Sequence, residues 1–237
     1  MAENSPKATI IEFNGLPGTG KSTIKSCLSE LIKNDNRIVY DNYEKKSFLR
    51  YPYSSLLKQD SYKLLPFIFR LGDSCGLNKS KVGQILRLLS YVNNYKQFVE
   101  DNPHNTFLIQ DEGVIQSLIS IAYLESIKGK ESELRGFFLL LKKLGITWLQ
   151  INCRNDSYLS MERITQRGSN LGRFDKMDKA ELINALNVQV ESFEIIRNLS
   201  EECGVSRASI YIDTSLQPEE NAKLIYRMIN NSKNSLF

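Results

Sequence analysis

The run Gly15-Leu16-Pro17-Gly18-Thr19-Gly20-Lys21-Ser22 fills every fixed position of the pattern G-x-x-x-x-G-K-[ST], and its flanks are those the pattern requires. Before it, Thr9-Ile10-Ile11-Glu12-Phe13 is short, largely apolar and β-branched, a strand signal. After it, residues 21–32 place apolar side chains at 24, 27 or 28, 31 and 32, a helical period. Glycines let the backbone of such a loop wrap an anion with its amide N–H groups pointing inward. The helix that follows adds the positive end of its dipole. The pattern is the phosphate-binding P-loop, and it predicts that the chain holds a nucleoside triphosphate. Lys21 is expected on the β- and γ-phosphates and Ser22 on Mg²⁺. The expected ATP cradle is therefore Gly15, Pro17, Gly18, Thr19, Gly20, Lys21, Ser22 and Thr23. The same letters contain Leu16-Pro17-Gly18-Thr19-Gly20, a sortase-type anchoring signal. That signal needs an apolar span and a basic tail after it, and neither follows.

Five strand candidates recur at wide spacing: roughly 8–14, 37–41, 106–111, 146–152 and 208–213. Helical patterns separate them. Residues 114–127 carry Ile115, Leu118, Ile119 and Ala122 on one stripe; residues 131–144 do the same with Leu134, Phe137, Phe138, Leu141 and Leu144 before Gly145. Residues 179–203 open with a capping-box pattern, Asp178 to Glu181, and stop at Gly204, and Pro218 starts a last helix. Alternating strands and helices predict an α/β fold with a parallel sheet covered on both faces. No repeat or linker divides the chain, so residues 1–237 are expected to form one domain. Residues 44–104 are far longer than an ordinary connection and hold Tyr51-Pro52-Tyr53, an apolar run at 64–70 and a helical run from 79 to 100. In doubly wound sheets ligands bind past the C-terminal strand edge, so this insertion is expected to line the acceptor pocket. The plainer account is that its aromatics form a second small core.

Composition narrows the classes. A net charge of +4, with Lys and Arg spread along the chain, gives no footprint for nucleic acid. No run reaches the ~18 to 20 apolar residues of a membrane span, and residues 1–8 are polar with no signal-like apolar stretch. A cytoplasmic protein without membrane or nucleic-acid partners is expected. The four cysteines, Cys27, Cys75, Cys153 and Cys203, lack C-x-x-C spacing and read as reduced. With His104 as the single histidine, zinc sites and Ser-His-Asp triads have no basis.

Three further features suit phosphoryl transfer. The strand candidate 106–111 runs into Asp111 and Glu112. An acid there can hold Mg²⁺ or take a proton from an attacking hydroxyl. Neighbouring strand residues face opposite ways, which favours Asp111 for that place and leaves Glu112, Asp41 and Glu44 as other sources of a base. Arg163 and Arg167 stand four apart on a helical pattern, one above the other. Paired guanidinium groups suit the oxygens of a moving phosphoryl group, although a solvated basic face would read the same way. Gly168 to Asp175 then makes a glycine-bounded loop able to close as a lid, part of a lid region over 163–177.

Together these motifs resemble the P-loop nucleotide and nucleoside kinases, most of all the thymidylate kinases. Arg163-x-x-x-Arg167, Arg173-Phe174-Asp175 and Ile212-Asp213-Thr214-Ser215 match that group's lid helix, lid end and final strand. Asp111 matches the acid of its Asp-Arg-aromatic motif, and Ala122-Tyr123 echoes the helix after it. The resemblance implies a five-stranded parallel sheet in the order 2-3-1-4-5 and ATP with Mg²⁺ as donor. It also implies Lys21, Asp111, Arg163, Arg167 and Arg173 as catalytic residues, and the loop from Asp213 beside the adenine. The acceptor would be a small molecule, and the group often forms homodimers. Two positions depart: Pro17 stands where thymidylate kinases have an acid, and Glu112 where they have an Arg. Exchanging Arg for Glu removes a phosphate-binding cation, which favours a nucleoside, sugar or other hydroxyl acceptor unless Arg70 or Arg87 restores the charge. Other readings are a monophosphate kinase proper, an inactive scaffold relative, and an NTP-driven switch. A guanine-binding switch would show Asn-Lys-x-Asp, and Asn78-Lys79-Ser80-Lys81 lacks the Asp.

Overall fold

The computed structural model describes residues 8–35, 37–40, 63–71, 79–102, 106–122, 127–154, 156–167 and 174–231. Its strands are β1 (Thr9–Asn14), β2 (Ile38–Tyr40), β3 (Thr106–Gln110), β4 (Trp148–Arg154) and β5 (Ser206–Asp213). Around them lie α1 (Lys21–Lys33), α2 (Leu65–Leu71), α3 (Lys79–Asp101), α4 (Val114–Ala122), α5 (Glu131–Lys143), α6 (Ser157–Arg167), α7 (Lys179–Glu202) and α8 (Pro218–Asn231). The sheet is parallel throughout, in the order β2-β3-β1-β4-β5. This is the expected α/β architecture and strand order.

Alternation along each strand sends side chains to opposite faces. Ile11 and Phe13 of β1 pack with Ile24, Leu28 and Ile32 of α1 and with Ala222, Ile225 and Ile229 of α8. Ile10 faces the other way, into a cluster with Leu108, Trp148, Leu118, Phe138 and Ile196. Both faces are covered, which is why the strands read as nearly continuous apolar runs.

The described residues of the insertion join the main core. Leu64, Ile68, Leu88, Val92, Tyr95 and Phe98 belong to the same buried cluster as Trp148 and Phe138. The Tyr95 and Trp148 rings lie 6.4 Å apart. The helical run from 79 is α3; Tyr51 to Tyr53, Asp41 and Glu44 lie outside the described residues, as do Cys75, His104, Tyr123 and 168–173 with Arg173.

Two boundaries differ from the sequence pattern for a local reason. Gly145 N–H donates to Lys142 O at 2.9 Å and Ile146 N–H to Leu141 O at 3.1 Å, closing α5. Those two residues belong to the helix cap, so β4 begins at Trp148. At its other end β4 runs to Arg154, because β5 pairs with it as far as Asp213. The Asp178–Glu181 capping box of α7 forms as expected, with Asp178 Oδ1 accepting from Glu181 N–H at 2.9 Å.

β1 lies between β3 and β4, where the winding reverses. Such a switch point opens a crevice past the C-terminal strand ends. The glycine loop, Asp111, α6 and the Asp213 turn all emerge there.

Candidate active site

The loop is shaped by close backbone approach. Gly15 has φ +146°, and a Cβ there would lie 2.5 Å from the carbonyl oxygen of Cys153. Only glycine lets β1 turn so near β4. Thr19 Oγ1 donates to Leu16 O at 2.9 Å, bracing the turn from within. Thr23 N–H and Ile24 N–H both donate to Gly20 O at 3.1 Å and begin α1. Lys21 Nζ donates to Gly15 O at 2.7 Å and Leu16 O at 2.8 Å. Burial lowers its pKa below the ordinary lysine value. Pro17 to Thr23 line a cavity of about 430 Å³ together with Asp111, Glu112, Gln116, Arg163 and Arg167. Of the residues expected to cradle the triphosphate, Gly15 alone lies behind the loop. It and Asp213 border a separate cavity of about 800 Å³ under α7. Asp213 Oδ1 accepts from Ser215 N–H at 2.8 Å, so its carboxylate organises the turn after β5.

The metal-side acid is held from α1. Ser22 Oγ donates to Asp111 Oδ2 at 2.6 Å, and Lys25 Nζ to Asp111 Oδ1 at 3.2 Å. Burial pushes the Asp111 carboxyl up, but the Ser22 hydroxyl and Lys25 ammonium outweigh it and leave the pKa below the ordinary value. A hydroxyl beside an ionised carboxylate is a hard-oxygen pair suited to Mg²⁺, which takes few protein ligands and completes its shell with water and phosphate oxygens. Among the described residues no group of three or more His, Cys, Asp or Glu side chains could hold a metal. Ser22 and Asp111 fit such an ion.

Across the cavity stands α6. Arg163 Nη1 donates to Gly18 O at 3.3 Å and its Nη2 to Thr214 O at 3.2 Å, tying the loop to the turn after β5. Arg167, one turn on, has Nη2 3.7 Å from Asp175 Oδ1. Both arginines line the cavity that holds the loop, so α6 presents neither to bulk solvent alone. Arg173, the third expected cation, lies outside the described residues.

Glu112 follows Asp111 past the end of β3 and lines the same cavity. Its Oε2 lies 3.5 Å from Arg87 Nη1 on α3, with both side chains more than half exposed. Arg70 sits on α2, whose Phe67 meets Gly136 of α5. Behind this wall Glu12 is fully buried. Its Oε1 accepts from Ile115 N–H at 2.7 Å and its Oε2 from Tyr95 Oη at 3.2 Å. Burial raises the Glu12 carboxyl from 4.5 to about 7 against those donors. Gly113 makes the packing fit, since a Cβ there would lie 2.4 Å from Tyr95 Oη and 2.5 Å from Glu12 Cδ.

Sequence reasoning singled out neither Lys25 nor Glu12. Lys25 carried a usable signal, standing three after Ser22 and four after Lys21 on one helix face. Glu12 reads as an ordinary polar residue in a strand, and only the pairing of β1 with β3, Glu12 opposite Gln110, brings it to the start of α4.

No family model and no curated protein matches the chain. Among solved structures it resembles a deoxyadenosine kinase from M. mycoides with bound dATP, at a TM-score of 0.50 and 16% sequence identity, covering 94% of this chain and 99% of that one. The chain has the P-loop kinase fold. No helix of the described residues is long and apolar enough to cross a membrane.

Proposed function

We propose that the protein is a small-molecule kinase that moves the γ-phosphoryl group of ATP to the hydroxyl of a nucleoside. The observation that carries this reading is the face-to-face placement of Arg163 and Arg167 with Lys21, Ser22 and Asp111 around one cavity. The fold it shares with a deoxyadenosine kinase supports the same reading. In it, Lys21 leaves the loop carbonyls for the terminal phosphates, while Arg167, with Arg173, neutralises charge on the phosphoryl oxygens. Bound Mg²⁺ would supply a Lewis-acidic charge shared by the phosphates. Asp111, ionised and directed by Ser22, holds the metal side or orients the acceptor hydroxyl. Positioning and charge carry the catalysis because the transition state is loose.

The acceptor wall favours an unphosphorylated substrate. Where thymidylate kinases have an Arg, Glu112 stands, and Arg87 is paired to it. Gln116 lines the cavity with its buried Oε1 lacking a hydrogen-bond partner, a place for a donor group of the acceptor. An ADP-release assay over deoxynucleosides, their monophosphates and simple sugars tests this. Release stimulated by a deoxynucleoside, and not by its monophosphate, is expected. Stimulation by dTMP instead would make the protein a monophosphate kinase; ADP release indifferent to every acceptor would make it an NTP-driven switch.

A further inference from the structure

Resting on that kinase reading, the Lys25–Asp111 contact raises a question of charge. The Lys25 side chain is 10% exposed, and its ammonium lies on the carboxylate that also receives Ser22. A lysine this deep is accommodated by sitting against an acid. A divalent ion shared by Ser22 and Asp111 would then stand within a few ångströms of that ammonium, and like charges so close repel strongly in a partly dry site. Before nucleotide arrives, the Lys25 ammonium offsets the charge by which Asp111 would attract a metal. A triphosphate on the loop supplies the missing negative charge.

We infer that Lys25 is a positioning residue with a second effect: it holds the Asp111 carboxylate against Ser22 and competes with the divalent ion for it, so that metal enters only together with the triphosphate. The signal lies in chemistry rather than motif, since the P-loop pattern places no demand on this position.

Mn²⁺ binding followed by electron paramagnetic resonance, with and without a non-hydrolysable ATP analogue, tests it on the full-length protein. The wild type should take up Mn²⁺ only with the analogue. Lys25→Met should lower the Mn²⁺ midpoint about tenfold and give measurable uptake without nucleotide. Lys25→Arg, which keeps the charge, should behave as the wild type, and Lys25→Gln replaces the Met variant if that one fails to fold. A midpoint unchanged or raised in the neutral variants overturns the inference while leaving the kinase reading intact. Failure of the wild type to bind the analogue at all sinks both.

Discussion

On the proposed kinase reading, the donor half and the acceptor half of this site are built from different material. The donor half is made of main chain: Gly15 against Cys153 O, Lys21 on loop carbonyls, Arg163 on Gly18 O and Thr214 O. The acceptor half is made of side chains, with Glu112 on Arg87 and Gln116 on the same cavity. Backbone cradles tolerate any side chain that leaves the turn possible, so they can stay constant while substrates change. Side-chain walls change with single substitutions. The difference teaches that the donor is a property of the fold and the acceptor a property of this particular chain.

Four substitutions would break or sharpen that contrast. Lys21→Met removes the one donor-side cation that the loop itself carries. Turnover should fall by roughly a thousandfold or more, read by ADP release, while the melting temperature stays near the wild-type value. Arg167→Ala should cost about a hundredfold or more in kcat, with binding of an ATP analogue changed only a few-fold.

Glu12→Gln probes the seam between the halves, because β1 carries the loop while Tyr95 and α4 belong to the acceptor side. The folded protein holds the Glu12 proton more tightly than the unfolded chain, at about 7 against 4.5. This carboxyl therefore stabilises the fold fully below pH 4.5, and that contribution fades as pH rises through 7. The integrated loss is about 3 kcal/mol. Urea melts at pH 5 and pH 8 should show this slope in the wild type, and the Gln variant should lose it. A variant with the wild-type slope would show that another group is responsible. Glu112→Gln releases Arg87 and should shift the acceptor KM about tenfold while the ATP KM moves less than twofold. Equal shifts in both constants would erase the division between the halves.

The same contrast explains what could be read from the letters. The loop, the strands and Asp111 were legible because each depends on local pattern: glycine spacing, apolar period, an acid at a strand end; the order of the strands followed only from the family resemblance. Arg163 and Arg167 were legible as a pair, since four residues place them on one helix face. Glu112 was half legible, as an acid just past a strand end, but only the packing of α3 against α4 supplies its partner Arg87. Glu12 was hidden, because a buried strand carboxylate becomes meaningful only when a helix N-terminus from a hundred residues away is set against it. The insertion misled for a related reason. Its aromatics look self-sufficient in sequence, and Trp148, far along the chain, is what Tyr95 packs on.

One tight contact in the donor half bears on how firmly the loop is held against α6. A Cβ on Gly18 would sit 3.3 Å from both Arg163 Cβ and Ser160 O, so the loop and the base of α6 already touch. A bulkier residue at 18 would wedge them apart. The first arginine is bolted to the frame by two carbonyls, while the second, one turn further out, meets the side chain of Asp175, so a bulky residue at 18 would disturb the first before the second.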